Sequence, residues 1–594
     1  MKKFKIWTYI CLCSAILFSL VNINFAFNVS VFAFPLSAVI SAFLVYFAYF
    51  KLFAKWEYKD ARVVKKLMEY MPFVFLAAFI LRRAGGIMNP DFSLVGVVPY
   101  WYDVICVLLW TVNFISCQGS LYFLNDKRIK NLNEKWQKIT KDSSSDKSFK
   151  KLFFEVIDWV DAIVQAVCMV LLFQIFILQL YVIPSESMVP EFLVKDRVVV
   201  FKTASGPKFP LSDVGLPTLK DYKRGDIVVF RNPHYDNSRK SEVKNFVSQL
   251  VYMLTFTTVN LNVDENGQLK ADPLVKRITG VPGEQLMMQD GILYSRTQDS
   301  PTFTPVKEDA LWAEWNVAGI PESTKKDIID IPLTEEQYKT MLEVEDLRNN
   351  LDLVQVASEC REIAQSFTQI RNRQNFNGKL PASADIPRLF SNEELTMYNL
   401  FSNDMSITLK LLSVTGGAEW FTNFLTSWIS ATPKDNLYDQ AMFKLDVMAK
   451  LELGKLILRN AELNLEGATS NQRRSDPVRQ AALDMGNKLY MYSVLNNSRN
   501  MPIFPANDAN GNPQFIPEHN YFMMGDNRFN SLDMRHSYSE KLIPISEADS
   551  TSLYYYSSVE PQYVSRERIL GNPVLRFLPL SRFGVPGLTG EKSK

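Results

Sequence analysis

Two serines separated by one residue, Ser185 and Ser187, and a lysine far downstream, Lys276, are the groups in this chain best suited to nucleophilic chemistry. The serines lie in Ile183-Pro184-Ser185-Glu186-Ser187-Met188-Val189-Pro190, directly after an apolar run. A serine hydroxyl attacks a carbonyl well only when a nearby base takes its proton, and lysine is such a base only when desolvation keeps it neutral. Lys276 sits in Val275-Lys276-Arg277-Ile278, a predicted strand whose alternation sends Arg277 to the opposite face. A Ser-Lys pair of this kind is an alternative to Ser-His-Asp. Taken alone, the same residues also fit turn-capping hydroxyls after Pro184 and a solvated basic pair at a strand edge. His536, next to Arg535, offers a second candidate base. The three His (His234, His519 and His536) are scattered without metal-binding spacing, so no metal site is expected.

Several modules must position these groups, because 594 residues exceed what one core holds. Lys plus Arg (65) nearly balances Asp plus Glu (63), which argues against nucleic acid as a partner. The first third is strongly apolar. Runs at 6–27, 29–53, 95–123 and 160–183 are long enough to cross a bilayer, and 68–81 is a shorter fifth. Basic loops at 51–66 and 127–151 read as cytoplasmic, and parity then makes the short run cross as well, extended past Arg82 and Arg83 by snorkelling. Five spans follow, with the N-terminus inside and everything after residue 183 outside. A cleaved leader is disfavoured because Phe25-Ala26-Phe27 lacks small residues and more spans follow. Five of the six Cys lie in apolar runs and only Cys360 in the soluble part, so no disulfide staples it.

Beyond the membrane segments, short β-branched runs alternate with Gly, Pro and Asp turns at 197–231 and 276–294, and again at 513–527 and 569–577. Between them, 334–492 reads as helical. Capping boxes fit Thr334 with Gln337 and Ser391 with Glu394, and Asp476-Pro477 fits a helix start. The expected architecture is a multi-domain membrane protein: an α-helical transmembrane bundle plus a mainly β catalytic domain interrupted by an α-helical insertion. The expected division is a four-helix membrane domain at 1–158, a fifth transmembrane helix at 159–183, the β domain at 184–300 and 511–594, and the insertion at 301–510. The insertion is expected to be excisable, with its Trp420, Phe421, Phe424 and Trp428 forming core rather than a docking face.

Four blocks follow in order after the last span: the serine segment, Lys223-Arg224-Gly225-Asp226-Ile227-Val228-Val229-Phe230, Val275-Lys276-Arg277-Ile278-Thr279-Gly280-Val281-Pro282-Gly283-Glu284, and 521–535, which contains Gly525-Asp526-Asn527-Arg528. This set resembles the catalytic boxes of bacterial type I signal peptidases. The resemblance implies Ser187 as nucleophile, Lys276 as general base, Ser185 as side-chain oxyanion donor and Ser531 as the hydroxyl orienting the lysine. It also implies bracing charges at Arg277, Asp526, Asp533 and Arg535, small substrate pockets walled by Ile183 and Val275, and no cofactor. The implied substrates are signal peptides of exported preproteins, cut at the outer, periplasmic side of the bacterial inner membrane. The lipid bilayer and the protein export machinery are the other implied partners.

This chain departs from the family pattern at Glu186 (usually Gly), Glu191 (usually Thr), Phe529 (usually Asp) and Met534. The two extra carboxylates are expected to raise the pKa of Lys276 or to alter substrate choice. Two rival classes share parts of the pattern. Self-cleaving repressors use a Ser-Lys pair but are soluble, and a non-catalytic membrane assembly protein could carry the same scaffold.

Overall fold

In the computed structural model, residues 1–23, 32–84, 100–137, 149–235, 239–263, 267, 270–373 and 389–587 are described. Parts of the runs 6–27, 29–53 and 95–123 and of the basic loop 127–151 lie outside them. Among the described residues, four helices are long and apolar enough to cross a membrane: Lys2–Val21, Ala33–Lys55, Tyr100–Leu124 and Glu155–Phe176. The short fifth run falls in a 27-residue helix, Tyr58–Ala84, whose first half is too polar to join them. Its Met68, Met71, Phe75 and Phe79 are buried against the other helices. Arg82 does not snorkel outward. It turns into the bundle, where its guanidinium pairs with Asp103 at 2.6 Å and both side chains are nearly inaccessible, because an unpaired charge there would be far costlier than a paired one.

The last of these helices stops earlier than its hydropathy suggests. It ends at Phe176, so the expected transmembrane span 159–183 is cut short, and Leu178–Val182 forms strand β1. Alternation of Gln179 and Tyr181 against Leu180 and Val182 suits a sheet with one buried face. The Thr203 hydroxyl takes up the freed Phe176 carbonyl at 2.9 Å. Strands β2 (Arg197–Phe201), β3 (Ile227–Phe230) and β4 (Leu274–Gly280) follow. After them come β5 (Glu284–Gln289), β6 (Ile292–Thr297), β7 (Thr304–Pro305), β8 (Met501–Phe504) and β9 (Asn520–Met524). The last four are β10 (His536–Pro544), β11 (Tyr554–Val559), β12 (Val564–Ser565) and β13 (Ile569–Leu578). A seven-stranded antiparallel sheet runs β1-β2-β13-β3-β4-β9-β12, a second runs β7-β6-β5-β8, and β10-β11 is a hairpin. One helix, Arg239–Leu254, interrupts the segment 184–300 that reads as purely β.

The β domain is fastened to the N-terminal apolar helices by the loop at 206–215. Phe209 inserts among Phe79, Trp110 and Phe176, with ring centroids 5.9, 5.3 and 4.9 Å away. Arg83 donates to the Leu211 carbonyl at 2.7 Å, and the Ser212 hydroxyl donates to Asp103 at 2.7 Å.

The helical region includes Glu335–Asn349, Leu353–Arg373, Leu437–Leu465 and Pro477–Arg499. Thr334 and Gln337 form the capping box, and the Asp476 carboxylate caps the Arg479 amide ahead of Pro477 at the first turn. Trp420, Phe421, Phe424 and Trp428 are all core. The same core contains Ile545, Leu553 and Tyr555 from the β10-β11 segment, which argues against the expectation of an excisable unit. Lys450 and Asp549, both fully buried, pair across that junction at 2.5 Å, and losing one partner would cost about 3–5 kcal/mol. The sheet also overruns both expected boundaries, since β7 pairs with β6 after residue 301 and β8 pairs with β5 before residue 510. Cutting out 301–510 would strip two strands, β7 and β8, and uncover the hairpin's apolar face.

Candidate active site

Strand β4 lies between β3 and β9, with Val228 opposite Lys276 and Met524 opposite Arg277. β1 leads directly into the turn at 183–190. Sheet order therefore brings the turn and β4 together across 89 residues, and the Lys276 Nζ meets the Ser187 Oγ at 2.5 Å. Lys276 is only 2% exposed. Burial pushes its pKa down to about 8, with Asp533 and Asp526 partly opposing and Arg535 adding to the fall. The charges that act most on it are Asp533, Asp526 and Arg535, not the two extra carboxylates Glu186 and Glu191. An amine that works as a base must be neutral, so activity should rise with pH through a limb near 8. A kcat/KM profile from pH 6 to 10 checks this. A limb near 10.5, the ordinary lysine value, would mean Lys276 is not desolvated when it works.

The charges expected to brace the site form two buried ion pairs. Arg277 grips Asp526 with two hydrogen bonds of 2.8 and 2.6 Å, and Arg535 grips Asp533 at 2.8 and 2.9 Å. Burial alone would raise the Asp533 pKa, but Arg535 holds that carboxyl far below the usual range. Its second oxygen accepts the Gly525 amide at 2.9 Å. Arg535 also donates to the Ser498 and Arg528 carbonyls.

Two residues of the fourth block matter in ways their quoted motif did not specify. Asn527 staples the nucleophile turn, its amide donating to the Ser187 carbonyl and its side chain to the Glu186 carbonyl, both at 3.1 Å. Gly525 passes so close that a Cβ there would lie 2.2 Å from the Ser531 Oγ and 2.3 Å from the Ser187 carbonyl. A glycine in a block that otherwise reads as strand signals such an approach. Ser531 is thus beside the nucleophile turn, but its buried Oγ has no hydrogen-bond partner among the described residues. Ser185 is exposed and lies 3.4 Å from Ser187, hydroxyl to hydroxyl. Among the described residues the Ser187 amide donates to no acceptor, which leaves it free for a substrate oxygen. His536 makes no hydrogen bond to Ser187 among the described residues. Burial lowers its pKa to about 4, and its ring bonds the Ser558 hydroxyl at 3.2 Å.

Ile183 and Val275 both line a cavity of about 990 Å³ that opens onto Ser187 and Lys276. Helix Arg239–Leu254 forms its far wall, and its Tyr252 hydroxyl accepts the β1 amide of Val182 at 3.1 Å. That helix has no counterpart in the expected β reading.

Residues 156–341 match the family model described as signal peptidase, peptidase S26. The chain is similar to the bacterial type I signal peptidases. The match takes in Ser187 and Lys276 and ends before the block at 521–535, as the long helical region between them makes natural. Signal peptidase I of Pseudomonas aeruginosa is 32% identical over 124 residues, 20% of this chain and 42% of that protein. Signal peptidase I of Buchnera aphidicola subsp. Baizongia pistaciae is 36% identical over 102 residues, 16% of this chain and 32% of its own length. Signal peptidase I P of Bacillus subtilis subsp. natto is 25% identical over 166 residues, 28% and 64% respectively. The chain thus spans between about a third and two thirds of the length of these relatives. No solved structure matches.

Proposed function

We propose that this chain is a membrane-anchored serine endopeptidase that removes signal peptides from exported preproteins at the outer face of the bacterial cytoplasmic membrane. The observation that carries the reading is the 2.5 Å contact between the Ser187 hydroxyl and a buried Lys276 amine. In the first step Lys276 takes the Ser187 proton as Oγ attacks the scissile carbonyl. The developing oxyanion is held by the Ser187 amide and the Ser185 hydroxyl, a donor of this kind being worth about 10²–10³ in rate. The lysine then protonates the departing amine, and later activates the water that releases the signal peptide from Ser187. Ser531 supplies an uncommitted hydroxyl for steadying the amine as it gains and loses its proton. Arg277, Asp526, Asp533 and Arg535 act through the backbone they pin. The cavity wall at Ile183 and Val275 favours substrates with small residues before the cut.

The test is cleavage of a purified model preprotein by the full-length protein in detergent. Expected is one cut after a small-x-small sequence, abolished when Leu replaces the small residue next to the bond. Absence of cutting by the wild-type chain, or indifference to that Leu, would overturn the proposal.

A further inference from the structure

Two of the departures, Glu186 and Phe529, are held by the segment that leads into the helical region. Residues 313–330 run as a strap from β7's end toward the first long helix of the insertion, and they cross over the nucleophile turn. At the near end Glu314 bridges to Asn527, taking the Arg528 amide at 3.0 Å and giving its own amide to the Asp526 carbonyl at 2.7 Å. Trp315 packs edge-on against Phe529, centroids 5.1 Å apart. In the middle Val317 and Ile320 bury themselves with Val189 and Leu193, just past the nucleophile. At the far end the Glu186 carboxylate accepts the amides of Ile329, at 2.5 Å, and Asp330, at 2.9 Å. Glu186 is buried. Its own carbonyl is the one that Asn527 holds.

A carboxylate with both oxygens on backbone amides is a strong, directional tie, because charge-assisted hydrogen bonds exceed neutral ones. Glu186 is covalently adjacent to Ser187, so that tie and the Asn527 staple fix the turn from two sides. A glycine, the family's usual residue at this position, could make no such link.

We propose that Glu186 is a positioning residue through which the inserted strap 313–330 holds Ser187 in line with Lys276. The proposal rests on the reading of Ser187 and Lys276 as the reacting pair. It makes the helical region part of the active-site scaffold.

The test compares kcat, KM and Tm for full-length wild type, Glu186→Ala, Glu186→Gln, Asp330→Pro and the Glu186→Ala/Asp330→Pro double variant, with Ser187→Ala as reference. Glu186→Ala should lower kcat about 10- to 100-fold with KM nearly unchanged, since a displacement near 1 Å can cost about 10² in rate. Glu186→Gln, keeping one acceptor oxygen, should fall between. Asp330→Pro removes one donor and should slow the wild type but add nothing in the Glu186→Ala background, the signature of a shared interaction. If Asp330→Pro proves misfolded by its Tm, the graded series at Glu186 still decides. Wild-type kcat in Glu186→Ala beside an inactive Ser187→Ala would overturn the latch alone. Full activity in Ser187→Ala would overturn the dyad and the latch together.

Discussion

Ser187→Ala and Lys276→Met are each expected to reduce preprotein cleavage by about 10⁴-fold or more, because removing either member of a nucleophile-base pair removes the covalent route. Methionine is the informative replacement at Lys276, as it fills similar volume in a site only 2% exposed while lacking the amine. Its Tm should therefore stay near that of the wild type, separating lost chemistry from lost fold. Lys276→Arg should be equally inactive, since a guanidinium stays protonated at any accessible pH. Lys276→His can keep a trace of activity with its pH limb moved down, because imidazole is basic but too short to reach as the amine does. His536→Ala should remain active, in line with its bond to Ser558 rather than to Ser187. Turnover near wild type in Ser187→Ala or Lys276→Met would remove the proposed mechanism.

Gly525→Ala has the second largest expected effect, from a residue that does no chemistry. The added methyl would stand 2.2 Å from the Ser531 Oγ and 2.3 Å from the Ser187 carbonyl, where carbon and oxygen need more than 3 Å. The Ser531 side chain can rotate away, but the Ser187 carbonyl is main chain pinned by the Asn527 amide. The turn must move, and a shift of about 1 Å at a nucleophile costs about 10² in kcat. Overpacking of this kind also costs about 1–3 kcal/mol, which thermal unfolding would register. Gly525→Ala/Ser531→Gly should recover part of the stability and little of the rate, since only one of the two collisions is relieved. An unchanged kcat in Gly525→Ala would mean the turn has slack that the close approach does not suggest.

Much of the β framework could be read from local pattern. The run Arg197 to Phe201 became β2 residue for residue, and the Thr334 and Asp476 caps formed as written. These features depend on neighbours within a few residues, where propensity and hydrogen-bond geometry are decided. The pairing of Lys276 with Ser187 was foreseeable only through resemblance, since nothing local in either segment encodes a partner 89 residues away. β1 was mistaken for the end of a membrane helix because Leu178–Val182 is apolar enough for both, and only its pairing with β2 settles the matter. Glu186 read only as a charge acting on Lys276 or on substrate choice, for the same reason. Its partners are two backbone amides at 329 and 330, which have no side-chain signature at all. The shared core of the hairpin and the helical region was hidden likewise, because Ile545, Leu553 and Tyr555 advertise burial without saying against what.

The aromatic plug at Phe209 carries a consequence for measurement of length. A protease swinging on a loose stalk could reach scissile bonds at many heights above the lipid. With Phe209 wedged between helices and the 206–215 loop tied to Arg83 and Asp103, the distance from the bundle to Ser187 becomes a fixed dimension of the protein. On the proposed function, that anchoring makes the chain a caliper: a substrate whose apolar stretch is too short or too long would present the wrong bond to the serine, whatever residues flank it.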